Sequence, residues 1–250
     1  MTILVGMRCT DGVVIGADGS ATFTHGRQLT IEQPTKKKIE IIDDHLIVAG
    51  SGYVGHAQRF CNVVKKLWRG GAFKGKDPVD IGKMLAAAGI SDFQETHVKE
   101  LDLSALVAGA VGNKPFLCEI PAALGFQPEI KDLDDIWYVS VGSGQPIVDP
   151  FLAFLRSVFW KEGPPNLRGG TFLTLWALLH ACEVNPGGIN EPIGIAVLEG
   201  KKGKFRARQL LEHELAEHRN MVQSAKGHMA SFRETLLGHI GADDIPRLPK

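Results

Sequence analysis

The chain has 250 residues, of which 44% are hydrophobic and 22% charged, a composition typical of a globular protein with a substantial core. Its 28 Lys and Arg residues balance 28 Asp and Glu residues, so no global field favours nucleic acid or an anionic membrane as a partner. The four cysteines show no zinc-ligand or C-x-x-C spacing, no apolar run approaches a membrane span, and the N-terminus lacks a signal-peptide pattern. We therefore expect a cytoplasmic protein with free cysteines and with no nucleic-acid or membrane partner.

The N-terminal part of the chain is predicted to form β-hairpins. Residues 2–9 and 13–18 are rich in β-branched residues, and the tight turn between them places Gly12 where we expect positive φ. A polar loop follows. Residues 35–50 then predict a second hairpin, with its turn at Asp43–Asp44.

Two helices are predicted next. From Ala57 onward apolar residues recur at helical spacing, and Asp77 followed by Pro78 is typical of the start of a second helix, because the aspartate can cap it. The later elements are predicted in this order: strands at 103–112, 115–120 and 136–142, a helix starting at Asp149–Pro150, a helix over 171–183, and strands at 191–200 and 204–208.

This order does not alternate strand and helix as a parallel sheet would. Strands, two helices, strands, two helices and strands indicate an α+β fold, in which two antiparallel sheets stack face to face with helix pairs outside them. We expect a four-layer αββα sandwich over residues 1–208, followed by a C-terminal helix and tail over 209–250.

The C-terminal segment differs from the rest, because its apolar residues are separated by alternating steps of four and three, a heptad pattern. The pattern is carried by Leu211, Leu215, His218, Val222, Ala225, Met229, Phe232 and Leu236. Two interpretations stay open: this helix packs on its own domain, or it contacts a neighbouring copy of the chain.

Thr2 occupies a chemically special position once Met1 is removed. A threonine hydroxyl needs a base within hydrogen-bond reach, and a free α-amino group on the same residue is always within reach. The reference pKa of that amine, about 7.7–8.0, lies near working pH, and a neighbouring cation would lower it further. Because Thr2 is small, we expect Met1 to be removed without a propeptide. The first hairpin should return Asp18 to the side of Thr2.

Five motifs occur in order over residues 2–208: Thr2, GADGSAT (16–22), TKKKIEI (35–41), IVAG (47–50) and VSVGSGQP (139–146). Together they resemble the proteasome β-subunit superfamily of N-terminal nucleophile hydrolases, in particular its bacterial HslV-like and betaproteobacterial proteasome-homologue branch. The resemblance implies a threonine-type endopeptidase that cleaves peptide bonds through an acyl-ester and needs no metal or organic cofactor.

The resemblance also implies roles for individual residues. Thr2 is expected to be the nucleophile, and Asp18 to position a lysine. That lysine should be Lys38, while Lys36 and Lys37 are its alternatives and are most simply solvated charges.

Further positions follow from the same resemblance. The backbone N–H of Gly50 corresponds to an oxyanion donor, and Ser143 to a serine that forms a hydrogen bond near the terminal amine. Ala21, Thr22 and Val48 correspond to positions that bind substrate. Val48 gives a faint indication that the preferred substrate side chain is apolar.

The sequence departs from the family pattern near the end of the last predicted helix. Glu183 stands in place of a family aspartate, and Pro186 in place of a serine, although proline offers neither a hydroxyl nor an N–H. A catalytically weak or inactive ring-forming shell subunit is therefore the alternative. The partners that the resemblance implies are polypeptide substrates, further copies in a homo-oligomeric double ring, such as a sevenfold tetradecamer, and an ATP-dependent unfoldase.

Two other motifs are weaker. GSGYVG at 50–55 matches a dinucleotide-binding fingerprint, but the acidic residue expected about twenty positions later is missing. His213 and His218 resemble a zinc-protease motif, but a separation of five residues rotates the two rings about 140° apart around a helix.

Overall fold

The computed structural model describes residues 1–25, 28–34, 38–185, 188–201 and 203–238, and for residues 21–25, 28–34, 201, 234 and 238 it describes the backbone alone. The chain forms two compact units, Met1–Leu210 and Leu211–Lys250. Among the helices in these described ranges, none combines the length and apolar character that a membrane span requires.

The first unit is built around two antiparallel sheets. Its strands are β1 (Leu4–Cys9), β2 (Gly12–Ala17), β3 (Ser20–His25), β4 (Gln28–Pro34), β5 (Ile39–Ile42), β6 (Leu46–Gly52), β7 (Leu103–Val111), β8 (Lys114–Ile120), β9 (Glu129–Ile130), β10 (Tyr138–Val141), β11 (Gly194–Lys201) and β12 (Lys204–Gln209). In the described part of the chain, the first sheet has the order β10-β1-β2-β11-β12, the second has the order β5-β6-β7-β8-β9, and β3 pairs with β4 separately.

A pair of helices covers the outer face of each sheet. Helices α1 (Val54–Arg69) and α2 (Pro78–Gln94) pack on the second sheet, and helices α3 (Gln145–Phe159) and α4 (Leu167–Val184) lie on the side of the first. The predicted four-layer αββα sandwich is therefore confirmed.

The inner faces of the sheets meet in a buried apolar cluster, to which Leu4 contributes from the first sheet and Leu106 from the second. Side chains of a strand alternate between its two faces. In β6, accordingly, Ile47 belongs to this inner cluster, whereas Val48 belongs to the cluster under α1 and α2. This alternation decides which residues of β6 face the helices.

The hairpin predictions are confirmed in part. The first hairpin turns at Thr10 and Asp11, but Gly12 does not have positive φ, so that expectation was wrong. Glycine is needed there for space, because an added Cβ would lie 2.2 Å from the carbonyl oxygen of Leu198. The second hairpin turns where predicted, and both Asp43 and Asp44 have positive φ.

Three further elements differ from the prediction. The predicted polar loop before residue 35 contains the hairpin β3–β4, in which threonine and other strand formers alternate. Helix α3 begins at Gln145 instead of Asp149, with Pro146 in its first turn and Pro150 inside the helix. The two-residue strand β9 was not predicted at all.

The second unit contains one helix in its described part, α5 (Glu212–Gly238). The carboxylate of Glu214 accepts a hydrogen bond of 2.8 Å from the backbone N–H of Leu211, which caps the helix start. Met229 and Leu236, two of the heptad positions in its distal half, are exposed in the single chain.

Candidate active site

The first hairpin brings Asp18 beside Thr2, as its two-residue turn predicts. Leu4 pairs with Ala17, and the next residues continue the pairing, with the N–H of Asp18 donating to the carbonyl of Ile3 at 3.2 Å. The N–H of Ile3 in turn donates to Asp18 Oδ1 at 2.8 Å. Asp18 is only 1% exposed, so its carboxylate depends on protein donors.

Lys38 joins these two residues. Its ammonium nitrogen Nζ lies 2.7 Å from Asp18 Oδ1 and 3.1 Å from Thr2 Oγ1. The Lys38 side chain is 10% exposed and the Asp18 side chain 0%, so the ion pair is shielded from water. Lys38 precedes β5 of the second sheet, whereas Thr2 precedes β1 and Asp18 follows β2 of the first, so the site lies at the ends of both sheets.

The contact between Lys38 and Thr2 limits what each group can do. An ammonium carries three donors and no acceptor, so while it is charged it donates to Thr2 Oγ1 and cannot take the hydroxyl proton. It can, however, stabilise negative charge that develops on that oxygen. The proton of Thr2 must therefore be accepted by a different group.

The GSG segment, residues 142–144, also contacts Thr2. The N–H of Thr2 donates to Ser143 Oγ at 3.1 Å, and the N–H of Gly144 donates to the carbonyl of Thr2 at 3.3 Å. Gly142 has φ +113, and an added Cβ there would lie 2.4 Å from the carbonyl oxygen of Thr2. The resemblance pointed to Ser143; the structure adds Gly142 as the residue that permits this close approach.

Met1 precedes the site and makes contacts of its own. The amide of Asn185 donates to Met1 Sδ at 3.6 Å, and the Met1 side chain packs against Gly188. While Met1 is attached, the nitrogen of Thr2 is a peptide amide and cannot act as a base.

A cleft of about 680 Å³ opens over these residues. Of the predicted site residues, Thr2, Lys38, Val48, Gly50 and Ser143 line it. Asp18 lies behind Lys38, bonded to it.

Four predicted site residues have other outcomes: Gly50, Glu183, Ala21 and Thr22. The N–H of Gly50 lines the cleft but donates to the carbonyl of Lys38 at 3.3 Å, so it is not a free oxyanion donor in this state. Glu183 lies exposed in the last turn of α4, a helix end that the sequence does not place in space, and it is not among the residues around the cleft. Ala21 and Thr22 are on β3, and their side chains lie outside the described part, as do Lys36, Lys37 and Pro186.

Sequence reasoning missed the acidic residues of the cleft, Glu40 and Asp102. Glu40 follows Lys38 by two residues, so strand alternation was a signal that could have placed both on one face. Its carboxylate accepts a hydrogen bond of 2.9 Å from Lys65, and that bond, with a second from Cys61, lowers the pKa of Glu40.

Cys61 also lines the cleft, but it does not compete with Thr2 as a nucleophile. Burial, together with a hydrogen bond to Glu40, raises the pKa of the Cys61 thiol to about 12. The reactive form of cysteine is the thiolate, so this side chain stays an unreactive thiol near neutral pH.

Neither rival motif has structural support. Strand β6, which precedes the glycine-rich segment, pairs antiparallel with β5 and with β7, so the parallel neighbour of a dinucleotide-binding unit is missing in the described sheet. Within the ranges that the structure describes, no group of three or more His, Cys, Asp or Glu residues could hold a metal ion.

Comparison with known proteins is consistent with this geometry. Residues 2–153 match the family model described as proteasome subunit. Proteasome subunit alpha 2 of Haloarcula marismortui is 27% identical over 223 residues, which is 86% of this chain and 81% of that protein. Proteasome subunit beta of Methanococcoides burtonii is 30% identical over 149 residues, which is 58% of this chain and 64% of that protein.

A solved structure gives the same fold. A mutant of Anbu from Hyphomicrobium sp. strain MC1 matches with a TM-score of 0.68 at 14% identity, over 98% of this chain and 100% of that chain. At this identity the likeness concerns the fold alone. The family model covers more than half of the sequence, and the chain therefore belongs to the proteasome subunit family.

Proposed function

We propose that this protein is a threonine-type endopeptidase subunit, which hydrolyses peptide bonds through an acyl-ester on Thr2 after Met1 has been removed. The observation that carries the proposal is the simultaneous contact of Lys38 Nζ with Thr2 Oγ1 and with Asp18 Oδ1. A lysine that served only to neutralise a buried aspartate would not need to touch the hydroxyl of residue 2.

The base in this proposal is the α-amine that Met1 removal creates on Thr2. Lys38 cannot accept the proton, whereas the Thr2 nitrogen is on the same residue as the hydroxyl and lies 3.1 Å from Ser143 Oγ. The positive charge of Lys38 disfavours the ammonium form of that amine, so more of the free base is present at neutral pH.

The reaction then has two halves. Thr2 Oγ bonds to the scissile carbonyl carbon while its proton passes to the amine, directly or through water, and then to the leaving nitrogen as the peptide bond breaks. Water adds to the resulting ester, releases the acid and restores the hydroxyl. For Gly50 to stabilise the oxyanion, its long bond to the Lys38 carbonyl would have to give way to the substrate oxygen.

The assembly belongs to the same proposal. Family membership supports a ring assembly of several subunits. The proposal adds a homo-oligomeric double ring around a closed chamber, fed by an ATP-dependent unfoldase in the cytoplasm. Light scattering should then give a particle mass fourteen times that of the 27.1 kDa chain for a tetradecamer. A monomeric particle would contradict it.

The alternative is a shell subunit of the same fold that does no chemistry. The position of Met1 favours the shell subunit, because the contacts of Met1 with Asn185 and Gly188 stabilise the N-terminus in its blocked form. If Met1 stays in place, Thr2 has no amine and the proposed base is missing.

Fluorogenic peptide hydrolysis by protein of verified N-terminal mass separates these functions. Protein that retains Met1 is first treated with a methionine aminopeptidase. We expect Thr2→Ala to reduce hydrolysis to background, and Lys38→Met to lower kcat by a factor of about 100 or more, since charge stabilisation is lost. The control Lys66→Met removes an exposed lysine from α1 and should leave the rate unchanged.

Hydrolysis that survives Thr2→Ala would refute the proposed nucleophile. Particles that assemble, lack Met1 and cleave nothing would favour the shell subunit.

A further inference from the structure

We propose that the part of the cleft next to Thr2, lined by Glu40, Val48, Ala57 and Cys61, binds a substrate side chain with an apolar stem and a cationic end. The enzyme would accordingly cleave after lysine or arginine. This inference rests on the proposed function for its catalytic consequence, and it names the substrate class of the same site.

Glu40 lies in β5, two positions after Lys38, which directly precedes that strand. The two residues are separated by one position, both line the cleft, and a strand advances about 6.6 Å over two residues. Glu40 therefore borders the same cleft as the lysine that touches Thr2. That is the region which the side chain before a scissile bond would enter.

The walls of this subsite are apolar. Glu40 pairs across the β5–β6 ladder with Val48, which packs in the buried cluster under α1 and α2. Ala57 and Cys61 face the cleft from α1. An added Cβ on Gly50 would lie 2.9 Å from the Ala57 Cβ, so helix and strand are in contact there and limit the pocket. A methylene stem can therefore be buried along Val48 and Ala57, ending near Glu40.

The charges of the cleft favour a cation. Lys65 donates to Glu40 Oε1 at 2.9 Å, but Lys65 is not among the residues around the cleft, so it reaches the carboxylate from outside. Among the described residues that line the cleft, Glu40 and Asp102 are acidic, and Lys38 is basic but bonded to Asp18. The Glu40 side chain is 48% exposed, so a cationic side chain could reach its carboxylate and would share it with Lys65 and with the Cys61 thiol.

Other side chains fit less well. An acidic side chain would approach Glu40 as a like charge. A large apolar side chain would cover part of the carboxylate without replacing the hydrogen bonds that it makes to water, which costs free energy.

A binding experiment on assembled Thr2→Ala protein tests the subsite without the chemistry. Fluorescein-labelled tetrapeptide amides that differ only in their last residue, Arg, Leu or Glu, are titrated and followed by anisotropy. We expect the Arg peptide to bind about tenfold more tightly than the Leu peptide, because one charge-assisted bond adds a difference of this size. The Glu peptide should bind most weakly.

Substitutions assign the preference to Glu40. Glu40→Gln in the same background should weaken Arg-peptide binding about tenfold and change Leu-peptide binding by less than a factor of two. Glu162→Gln, the same charge change at an exposed loop residue, should change neither. Equal binding of the Arg and Leu peptides, or tightest binding of the Glu peptide, would overturn the inference, as would an unchanged preference in Glu40→Gln.

The two proposals fail in different ways. Arg preference in binding without hydrolysis by the processed wild type would leave the subsite standing and reject the peptidase. Hydrolysis by the processed wild type, without a preference for the Arg peptide in binding, would support the peptidase and reject the subsite.

Discussion

Asp18 is the residue on which the geometry of the site depends. Its carboxylate accepts bonds from the N–H of Ile3, the N–H of Ser20 and the ammonium of Lys38, at 2.8, 3.1 and 2.7 Å. A buried ion pair is costly to desolvate, and it is tolerated when further donors satisfy the remaining lone pairs. The two backbone donors do this, and they fix the carboxylate that orients Lys38 toward Thr2.

Gly142→Ala tests how closely the GSG segment must approach Thr2. The new Cβ would meet the Thr2 carbonyl oxygen at 2.4 Å, and φ +113 is strained for any residue with a side chain. We expect Thr2 to be displaced and kcat to fall about tenfold or more. Fluorogenic peptide hydrolysis measures this effect.

Gly112→Ala is the matched control for Gly142→Ala. Its φ is also positive, +58, but an added Cβ finds nothing within 4 Å. It should therefore cost some stability through strain and leave the rate unchanged. Equal loss of activity in both variants would mean that backbone strain alone explains the effect.

Hairpin register is local information, and it predicted that Asp18 lies beside Thr2, whereas Lys38 was chosen through the resemblance and its motif. Glu183 was placed by resemblance only, at a helix end whose position depends on tertiary packing. Glu40 was missed although it lies two positions from Lys38. Glu40 lines the cleft together with residues of α1, and the strand pattern does not reveal that this helix lies beside it.

At the scale of elements, the edge of the second sheet is held by a buried lysine. Strand β9 has two residues, and Lys131, which follows it, is bonded to Glu119 at 2.8 Å and also to Glu129. Burial by itself lowers the pKa of Lys131, but hydrogen bonds to the two glutamates outweigh it and raise that pKa overall. Lys131 thus stays charged and ties β9 to β8.

Lys131→Met should destabilise this edge. Glu119, whose side chain is 14% exposed, would lose its cation, and an uncompensated buried charge costs about 3 kcal/mol. Adding Glu119→Gln should recover at least about 1 kcal/mol of this loss, because the stranded charge is removed. Urea unfolding at pH 7 measures both.

Lys83→Met serves as the comparison, since Lys83 and Asp80 are exposed and 3.9 Å apart. We expect no measurable change from it. If Glu119→Gln gave no recovery in the Lys131→Met background, the ion pair would not be the source of the stability.

Elements were predicted well where apolar periodicity was strong and poorly where other interactions decide. The hairpin β3–β4 mixes strand formers with polar residues, so its composition does not separate it from a loop, and strand pairing distinguishes it. Asp149–Pro150 looks like a helix start, but α3 already begins at Gln145, and Asp149 accepts bonds from Gln145 and Ser140. These two donors lie four and nine positions before Asp149, and the sequence pattern for a helix start does not include them.

At the scale of the whole molecule, three buried thiols lie in different layers of the sandwich. Cys9, Cys61 and Cys118 are buried and form no disulfide. Cys9 lies in β1, Cys61 in α1 and Cys118 in β8. Burial raises the pKa of each, to about 12 for Cys61 and for Cys118.

These thiols make the fold sensitive to alkali. The unfolded chain releases a thiol proton above about pH 9, whereas the folded chain keeps it until about pH 12. The folded state then binds more protons than the unfolded state, so the free energy of unfolding is at its full value below pH 9 and falls as pH rises toward 12. Each thiol contributes about 1.4 kcal/mol per pH unit within this window.

Cys118→Ala should reduce this slope. Between pH 9.5 and 10.5 we expect its free energy of unfolding to fall by about 1 kcal/mol less than that of the wild type, because one titrating thiol has been removed. Urea unfolding under reducing conditions and at one protein concentration measures the slope, and values at pH 7.5 give the separate cost of lost packing. Lysine and tyrosine titrations are common to both proteins and cancel in the difference. Parallel slopes would mean that the Cys118 thiol ionises in the folded state as readily as in the unfolded chain, and that β8 is open to solvent at this position.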